Sequence, residues 1–411
     1  MEGMRADEVF FREWERRRPG ETRSLARARE LAEALGVLFP GLPVLTVVGS
    51  KGKGTAATYA SAFLAASGLR VCTVTSPGLR TNRDRIRVGG RAIPEAELAR
   101  LGGLLGAAMA ELGPPQDGYL SPSGLFTLAG VLHARRAGAD ALVLEAGMGG
   151  RSDEVSLFPP DVVAITPVFL EHAGVLGDTP AEIAAEKRGV AGPGTPIVSA
   201  PQSPDVAEVL GPVEYAGDGG VPAGLLPAGL GRTAAAVGVA AARRLAGGDP
   251  PAETLRRVLS TVVLPGRMSW HTVPGTATTL LIDSAVDGTG VAAALAAARD
   301  RWGEVDHAVV CLPDHKDLDG AVRALGDLPV TYVRLPQPHL RFTRPLPPSW
   351  DVVESGAVTP EALATLGHRV AVLGTVYFTG LVLDRIGAGT ERLFVPPATA
   401  PASRRPSGSG A

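Results

Sequence analysis

The residues best suited to chemistry stand together at Gly49-Ser50-Lys51-Gly52-Lys53-Gly54-Thr55. An apolar run, Val44 to Gly49, leads into them, and a small-residue helix is predicted from about Gly54 to Ser67. Glycine at such a junction lets backbone N–H groups come close to phosphate oxygens, and the helix N-terminus adds partial positive charge. Lys53 then reaches the β- and γ-phosphates of a nucleotide, and the Thr55 hydroxyl offers an oxygen ligand to Mg²⁺. The plainer alternative is a glycine-rich strand-to-helix turn with solvated lysines; the strand–loop–helix setting favours the phosphate reading. A second chemical group, Glu145, ends the apolar run Ala141 to Gly147. Ligands in open α/β sheets gather at the C-terminal ends of strands, and a carboxylate there suits Mg²⁺.

The elements that must position these groups alternate along the chain. Arg70 to Ser76, Val162 to Val168 and Pro196 to Ala200 are further strand-like runs, with helical patterns between them. Continuous Val/Ile/Leu strands separated by helices predict a parallel sheet covered on both faces. The pattern weakens from Pro201 to Pro227, then resumes with helical stretches at Arg232 to Leu245 and Ala252 to Leu259. A second alternating block begins near Thr278. The expected organisation is an α/β ATP-binding domain over 1–267, a linker at 268–276, a smaller Rossmann-like α/β domain over 277–395, and a disordered Pro/Ser/Gly-rich tail at 396–411.

With a formal net charge of −2, no global basic field draws the chain to nucleic acid, so an anion site has to be built locally. Two cysteines, Cys72 and Cys311, sit in apolar runs and read as buried thiols rather than a disulfide framework. The charged N-terminus and the lack of a long apolar run predict a cytoplasmic protein with no membrane partner. A monomer or weak dimer is expected.

The loop departs from the general P-loop spacing: two residues, not four, separate its first Gly from the Gly-Lys pair, and Gly54 precedes Thr55. This variant resembles the GTNGKGS/T loop of the Mur ligases and folylpolyglutamate synthases, with Lys51 where those have Asn. Further stretches resemble the same family in the same order: Thr75-Ser76-Pro77 with Asp84 to Arg87, Leu144 to Arg151, Glu171 to Thr179 with Glu186-Lys187, Leu264 to Arg267, Asp314 to Asp317, and Gly374 to Tyr377. The resemblance covers about residues 10 to 390. It implies a P-loop ATPase domain and an ATP- and Mg²⁺-dependent ligase that joins a small-molecule carboxylate to an amino acid through an acyl-phosphate. By the same resemblance Ser76, Glu145 and His172 bind metal alongside Thr55, and Gly49, Gly52, Lys53, Gly54 and Thr55 cradle phosphate. Arg267 and Asp283 match residues that hold nucleotide from the inter-domain side. Lys187 matches a lysine often carbamylated in the family, which places it with Lys53 and His172 in the catalytic set.

Some positions break the family pattern. Val286 stands for a histidine, Ala234 for a nucleotide-contacting asparagine and Gly78 for the His of TSPH, while Leu120 to Thr127 lacks the aromatic and acidic residues of TYFEFLT. The phosphate and metal residues are kept. This selective pattern favours a retained ATP reaction on a changed substrate, and leaves open a paralogue in specialised metabolism or a non-catalytic nucleotide-binding subunit.

Overall fold

Eight strands form the first sheet: β1 (Val44–Val48), β2 (Val71–Val74), β3 (Ile86–Val88), β4 (Arg91–Ala92), β5 (Ala141–Glu145), β6 (Val162–Ile165), β7 (Ile197–Ser199) and β8 (Glu214–Tyr215). Their order is β4-β3-β2-β5-β1-β6-β7-β8, parallel except for the antiparallel pairings of β3 with β2 and with β4. The computed structural model describes residues 7–217, 221–227, 229–337 and 339–398.

Two helical layers account for the unbroken apolar strands, because each face of the sheet needs a cover. Val44, Val48, Cys72, Val74, Leu142 and Leu144 point to one face and pack with helices α1 (Glu8–Arg16), α2 (Leu25–Ala34), α4 (Glu95–Leu112) and α5 (Pro122–Arg136). The intervening residues meet α3 (Lys53–Ala66), where Ser61 Oγ and Thr73 Oγ1 share a 2.6 Å hydrogen bond. Helices α6 (Pro180–Arg188) and α7 (Pro204–Leu210) follow. Helix α3 also packs on α8 (Leu230–Ala246) and α9 (Ala252–Leu259), so from Gly54 onward it is buried on every side. Its alanines and glycine make such close approach possible.

The second sheet runs β13-β12-β11-β14-β10-β9, built from β9 (Ser269–Thr272), β10 (Thr279–Asp283), β11 (His307–Cys311), β12 (Val330–Arg334), β13 (Asp351–Glu354) and β14 (Arg369–Gly374). All pairings are parallel except β9 with β10. Leu281, Ala308, Val310, Ala371 and Leu373 pack with α10 (Gly288–Trp302) and α11 (Leu318–Leu325). Alternate residues, including Ile282, Val309 and Val372, pack with α12 (Pro360–Thr365) and α13 (Val376–Arg385).

The chain divides into two compact units, one with each sheet. The first takes in residues up to Ser76, Ile86–Val262 and the chain from Leu393; the second takes in Pro77–Arg85 and Val263–Arg392. Residues 268–276, expected as a linker, carry the edge strand β9, and its Trp270 and the preceding Met268 pack on the second core. Segment 77–85 joins the second unit by way of Arg80, whose Nη2 is 2.7 Å from Asp384 Oδ1 and whose Nη1 donates to the Ala388 carbonyl. Of the tail expected to be disordered, 399–411 lies outside the described residues. Both cysteines are buried and free, and burial pushes each thiol up to about 12, so neither is a nucleophile at neutral pH.

Candidate active site

The loop after β1 is held in place by its glycines and by two serine contacts. A Cβ on Gly49, at φ 139°, would come 1.9 Å from Thr166 Oγ1, so only glycine fits there. Gly52, the N-cap of α3, takes the left-handed φ of 85° and packs against Ala234, whose Cβ would lie 2.6 Å from a Cβ at that position. Ser50 N donates to Pro167 O at 2.9 Å, and Ser50 Oγ donates to Phe169 O at 3.1 Å while accepting from Phe169 N at 3.2 Å. No side chain caps α3, so the first amides of the helix, Lys53 to Thr55, have neither an intrahelical partner nor a side-chain cap. A ring of backbone donors with no room for side chains is what a phosphate group needs.

Two lysines converge on this loop. Lys53 Nζ donates to the Gly49 carbonyl at 3.0 Å, and Lys187 Nζ, from the last turn of α6, donates to the same carbonyl at 2.9 Å. Lys187 is 1% exposed and also reaches Glu171 Oε1 at 2.7 Å. Burial, then the nearby Lys53 charge, pulls the Lys187 pKa down while Glu171 holds it up. Burial works to raise the Glu171 carboxyl, but Lys187 and Lys53 bring it below its usual range. Helix α6 is fixed at its start by a capping box, Thr179 with Glu182, which sets where Lys187 emerges.

Glu145 ends β5, between β1 and β2 in the sheet, with Val47 as its partner on β1. It is 4% exposed and its Oε2 accepts from Ser76 N at 3.1 Å. Thr55 is also buried, at 3% exposure, in the first turn of α3. The loops that follow β1 and β2 therefore flank one buried carboxylate. His172 is exposed, with φ 48°, and its carbonyl accepts from Val175 N and Leu176 N. Among the described residues no group of three or more His, Cys, Asp and Glu could cage a metal. In the second unit Asp283, at the end of β10, accepts from Met268 N at 2.7 Å, one residue beyond Arg267.

Two acidic features escaped the sequence reading. Glu171, the partner of Lys187, was visible only as the residue before His172. The other is a cluster on the loop after Glu145. Asp153 accepts from Met148 N at 2.9 Å and Val155 N at 3.1 Å, and pairs with Arg23 Nη1 at 3.0 Å. Beside it Glu154, 1% exposed, takes a 2.7 Å hydrogen bond from Ser121 Oγ, and its Oε2 is buried without a partner, 3.7 Å from Arg23. Burial, then the Asp153 charge, pushes the Glu154 carboxyl up to about 7. A folded-state pKa above the ordinary 4.5 means the native state holds the extra proton, so this stability is full below 4.5 and is lost as pH rises through about 7. Replacing Glu154 by Gln is expected to raise the melting temperature at pH ~8 and to add little at pH ~5. An equal gain at both pH values in circular dichroism melts would show that the charge is not the cause.

No family model matches the chain. A probable bifunctional folylpolyglutamate synthase/dihydropteroate synthase from Haloferax volcanii is 40% identical over 179 residues, 42% of this chain and 20% of the relative. A dihydrofolate synthase/folylpolyglutamate synthase from Escherichia coli K12 is 34% identical over 193 residues, 46% of this chain and 44% of the relative. The chain thus spans less than half the length of these curated relatives. Among solved structures, the Mycobacterium tuberculosis folylpolyglutamate synthase complexed with ADP and AMPPCP superposes with a TM-score of 0.74. That match covers 89% of this chain and 95% of the other at 23% identity. The chain is similar in sequence to folylpolyglutamate synthases over part of its length, and it shares their fold. Against that folylpolyglutamate-synthase fold, the departures at Ala234 and Val286 are packing residues here. Ala234 is fully buried against Gly52, and Val286 is half-buried against the second core. Each occupies apolar space where an Asn or His would need a polar partner.

Proposed function

We propose that the protein is an ATP-dependent acid–amino-acid ligase of the folylpolyglutamate synthase type. The observation that carries the reading is the convergence of Lys53 and Lys187 on the Gly49 carbonyl, at the mouth of an uncapped helix. A carboxylate oxygen of the acid substrate attacks the γ-phosphorus of ATP, the bond to the ADP oxygen breaks, and an acyl-phosphate forms. The amine then attacks the acyl carbon, phosphate leaves with the bonding electrons, and the amine proton passes to solvent. Lys53 and the α3 amides neutralise charge on the transferring oxygens, and the loop holds them in line. Gly52 and Gly54 keep the cradle free of side chains, and Thr55 closes its helix end. We assign Arg267 and Asp283 to nucleotide contact, by their match to the family pattern.

Thr55, Ser76, Glu145 and His172 would hold Mg²⁺. One buried carboxylate with hydroxyl neighbours, rather than an acidic cage, suits an ion that keeps water and phosphate oxygens as ligands. Bound there, Mg²⁺ supplies charge neutralisation at the phosphates. The surroundings of Lys187 suit an ammonium. Both of its acceptors need an N–H donor, and a carbamate would set a second anion against Glu171. Turnover is expected to be independent of added bicarbonate; a bicarbonate requirement would restore the carbamate.

The test is ADP release from purified protein with ATP and Mg²⁺ over a panel of acids, folate-type acids included, each paired with glutamate and other amino acids. Acid- and amine-dependent ADP with an amide product supports the ligase. Nucleotide binding without stimulation by any pair would favour a non-catalytic subunit. A second reading, a non-folate acid in specialised metabolism, is favoured by Ser121, Ser123 and the buried Glu154 in and beside the segment Leu120 to Thr127. Among the described residues no helix is long and apolar enough to cross a membrane, which is compatible with the cytoplasmic location we assign.

A further inference from the structure

A cavity of about 400 Å³ opens between the end of α1, the turn leading to α2, and the segment that follows α4. Arg12, Arg16, Arg17, Arg18 and Arg27 line it, with only Glu13 and Glu21 of opposite sign. Both acids are already committed. Glu13 accepts from Arg27 Nη2 at 2.8 Å and from Leu120 N at 2.8 Å, and Glu21 accepts from Arg18 N at 2.8 Å. Arg27 Nη2 also donates to Gly113 O at 2.7 Å, and Tyr119 is tied by its backbone to Thr22 and Ser24. These bonds join three walls through one partly buried network, so the cavity is formed before any ligand arrives. Arg17 sits over Trp14, with Cζ 4.2 Å from the ring centroid and Nη1 donating to the Trp14 carbonyl, which holds its charge in place. A chain with a net charge of −2 gathers five guanidinium groups in one hollow, three of them on consecutive residues. With Glu13 and Glu21 counted, the lining keeps an excess of positive charge, and guanidinium forks match carboxylate and phosphate in pairs.

We infer that this cavity is a second ligand site, lined by no residue of the phosphate loop, for a small polyvalent anion bearing carboxylate or phosphate groups. Its volume falls in the range of small-molecule pockets. The inference does not rest on the ligase reading.

The experiment is isothermal titration of the full chain carrying Lys53→Ala, without Mg²⁺, with citrate, inorganic triphosphate and uncharged sorbitol. The Lys53 change weakens phosphate binding at the loop, and comparing the arginine variants in that same background separates this cavity from whatever binding the α3 amides retain. Saturable binding of citrate or triphosphate is expected, with none for sorbitol. Affinity is expected to fall at least about tenfold on adding Arg16→Gln and Arg18→Gln, two exposed positions whose loss leaves the fold intact by circular dichroism, and to weaken with salt. The two anions separate a carboxylate ligand from a phosphate ligand. Arg12→Gln, which changes a different wall, should act in the same direction. Absence of binding by either anion, or binding unchanged in the arginine variants, would overturn the assignment.

Discussion

Lys53→Ala is expected to abolish ATP-dependent turnover, by at least about a thousandfold, while leaving the fold intact. Lys53 projects from the first turn of α3 and its Nζ rests on the Gly49 carbonyl at 3.0 Å, with Ser50 O at 3.5 Å. Those are partly buried loop carbonyls, and Gly49 O keeps its hydrogen bond from Lys187 Nζ when the Lys53 ammonium turns to phosphate oxygens. The interaction grows as negative charge builds on the transferring group, so its loss should lower the rate of the chemical step more than nucleotide affinity. The loop itself does not depend on Lys53. Gly49 is locked by Thr166, and Ser50 by Pro167 and Phe169. Single-turnover ADP formation, measured at saturating ATP beside a circular dichroism melt, checks this. Residual activity above about one per cent in a folded variant would remove Lys53 from the phosphoryl-transfer step.

How much of this site the sequence carries depends on the kind of contact that builds it. The loop from Gly49 to Thr55 and the strand-end Glu145 are local: a glycine pattern between strand and helix, and a carboxylate ending an apolar run. Periodicity alone also exposes the buried strands β1, β2, β5, β6 and β7, since helices cover both faces. The edges are harder. Strand β9 is half-exposed and four residues long, and reads as a linker because its partner β10 supplies the register. Strand β8 and helix α7 lie within the Gly/Pro-rich stretch where short elements leave no period to detect. Segment 77–85 follows β2 in sequence yet packs in the second unit through Arg80, a contact with Asp384 that spans 304 residues. Glu171 and Glu154 are hidden for the same reason. Each gains meaning only from a partner that the fold supplies: Lys187, on α6, for the first, Ser121 and Arg23 for the second.

The last prediction separates what Lys187 does for folding from what it does for chemistry. Lys187→Met removes one partner of a buried pair and leaves Glu171, 19% exposed, facing the loop with a single neighbouring cation. Breaking such a pair costs about 3–5 kcal/mol when both groups are fully buried; the partial exposure of Glu171 reduces the expected loss to about 2–3 kcal/mol. Glu171 titrates below its ordinary pKa of 4.5, so the pair's contribution is present above that pH and lost as pH falls through the lower folded value. The deficit of Lys187→Met should therefore shrink in acid. Adding Glu171→Leu removes the stranded charge, and the double variant is expected to recover most of the stability at neutral pH. Turnover should not recover, because the Gly49 carbonyl still lacks its second ammonium and Lys53 is drawn more tightly onto it. Urea titrations of the wild type and three variants give the coupling energy, and ADP release from the same samples gives the chemistry. If the double variant regains activity along with stability, Lys187 is a packing cation, and the site reduces to Lys53, the α3 amides and Glu145.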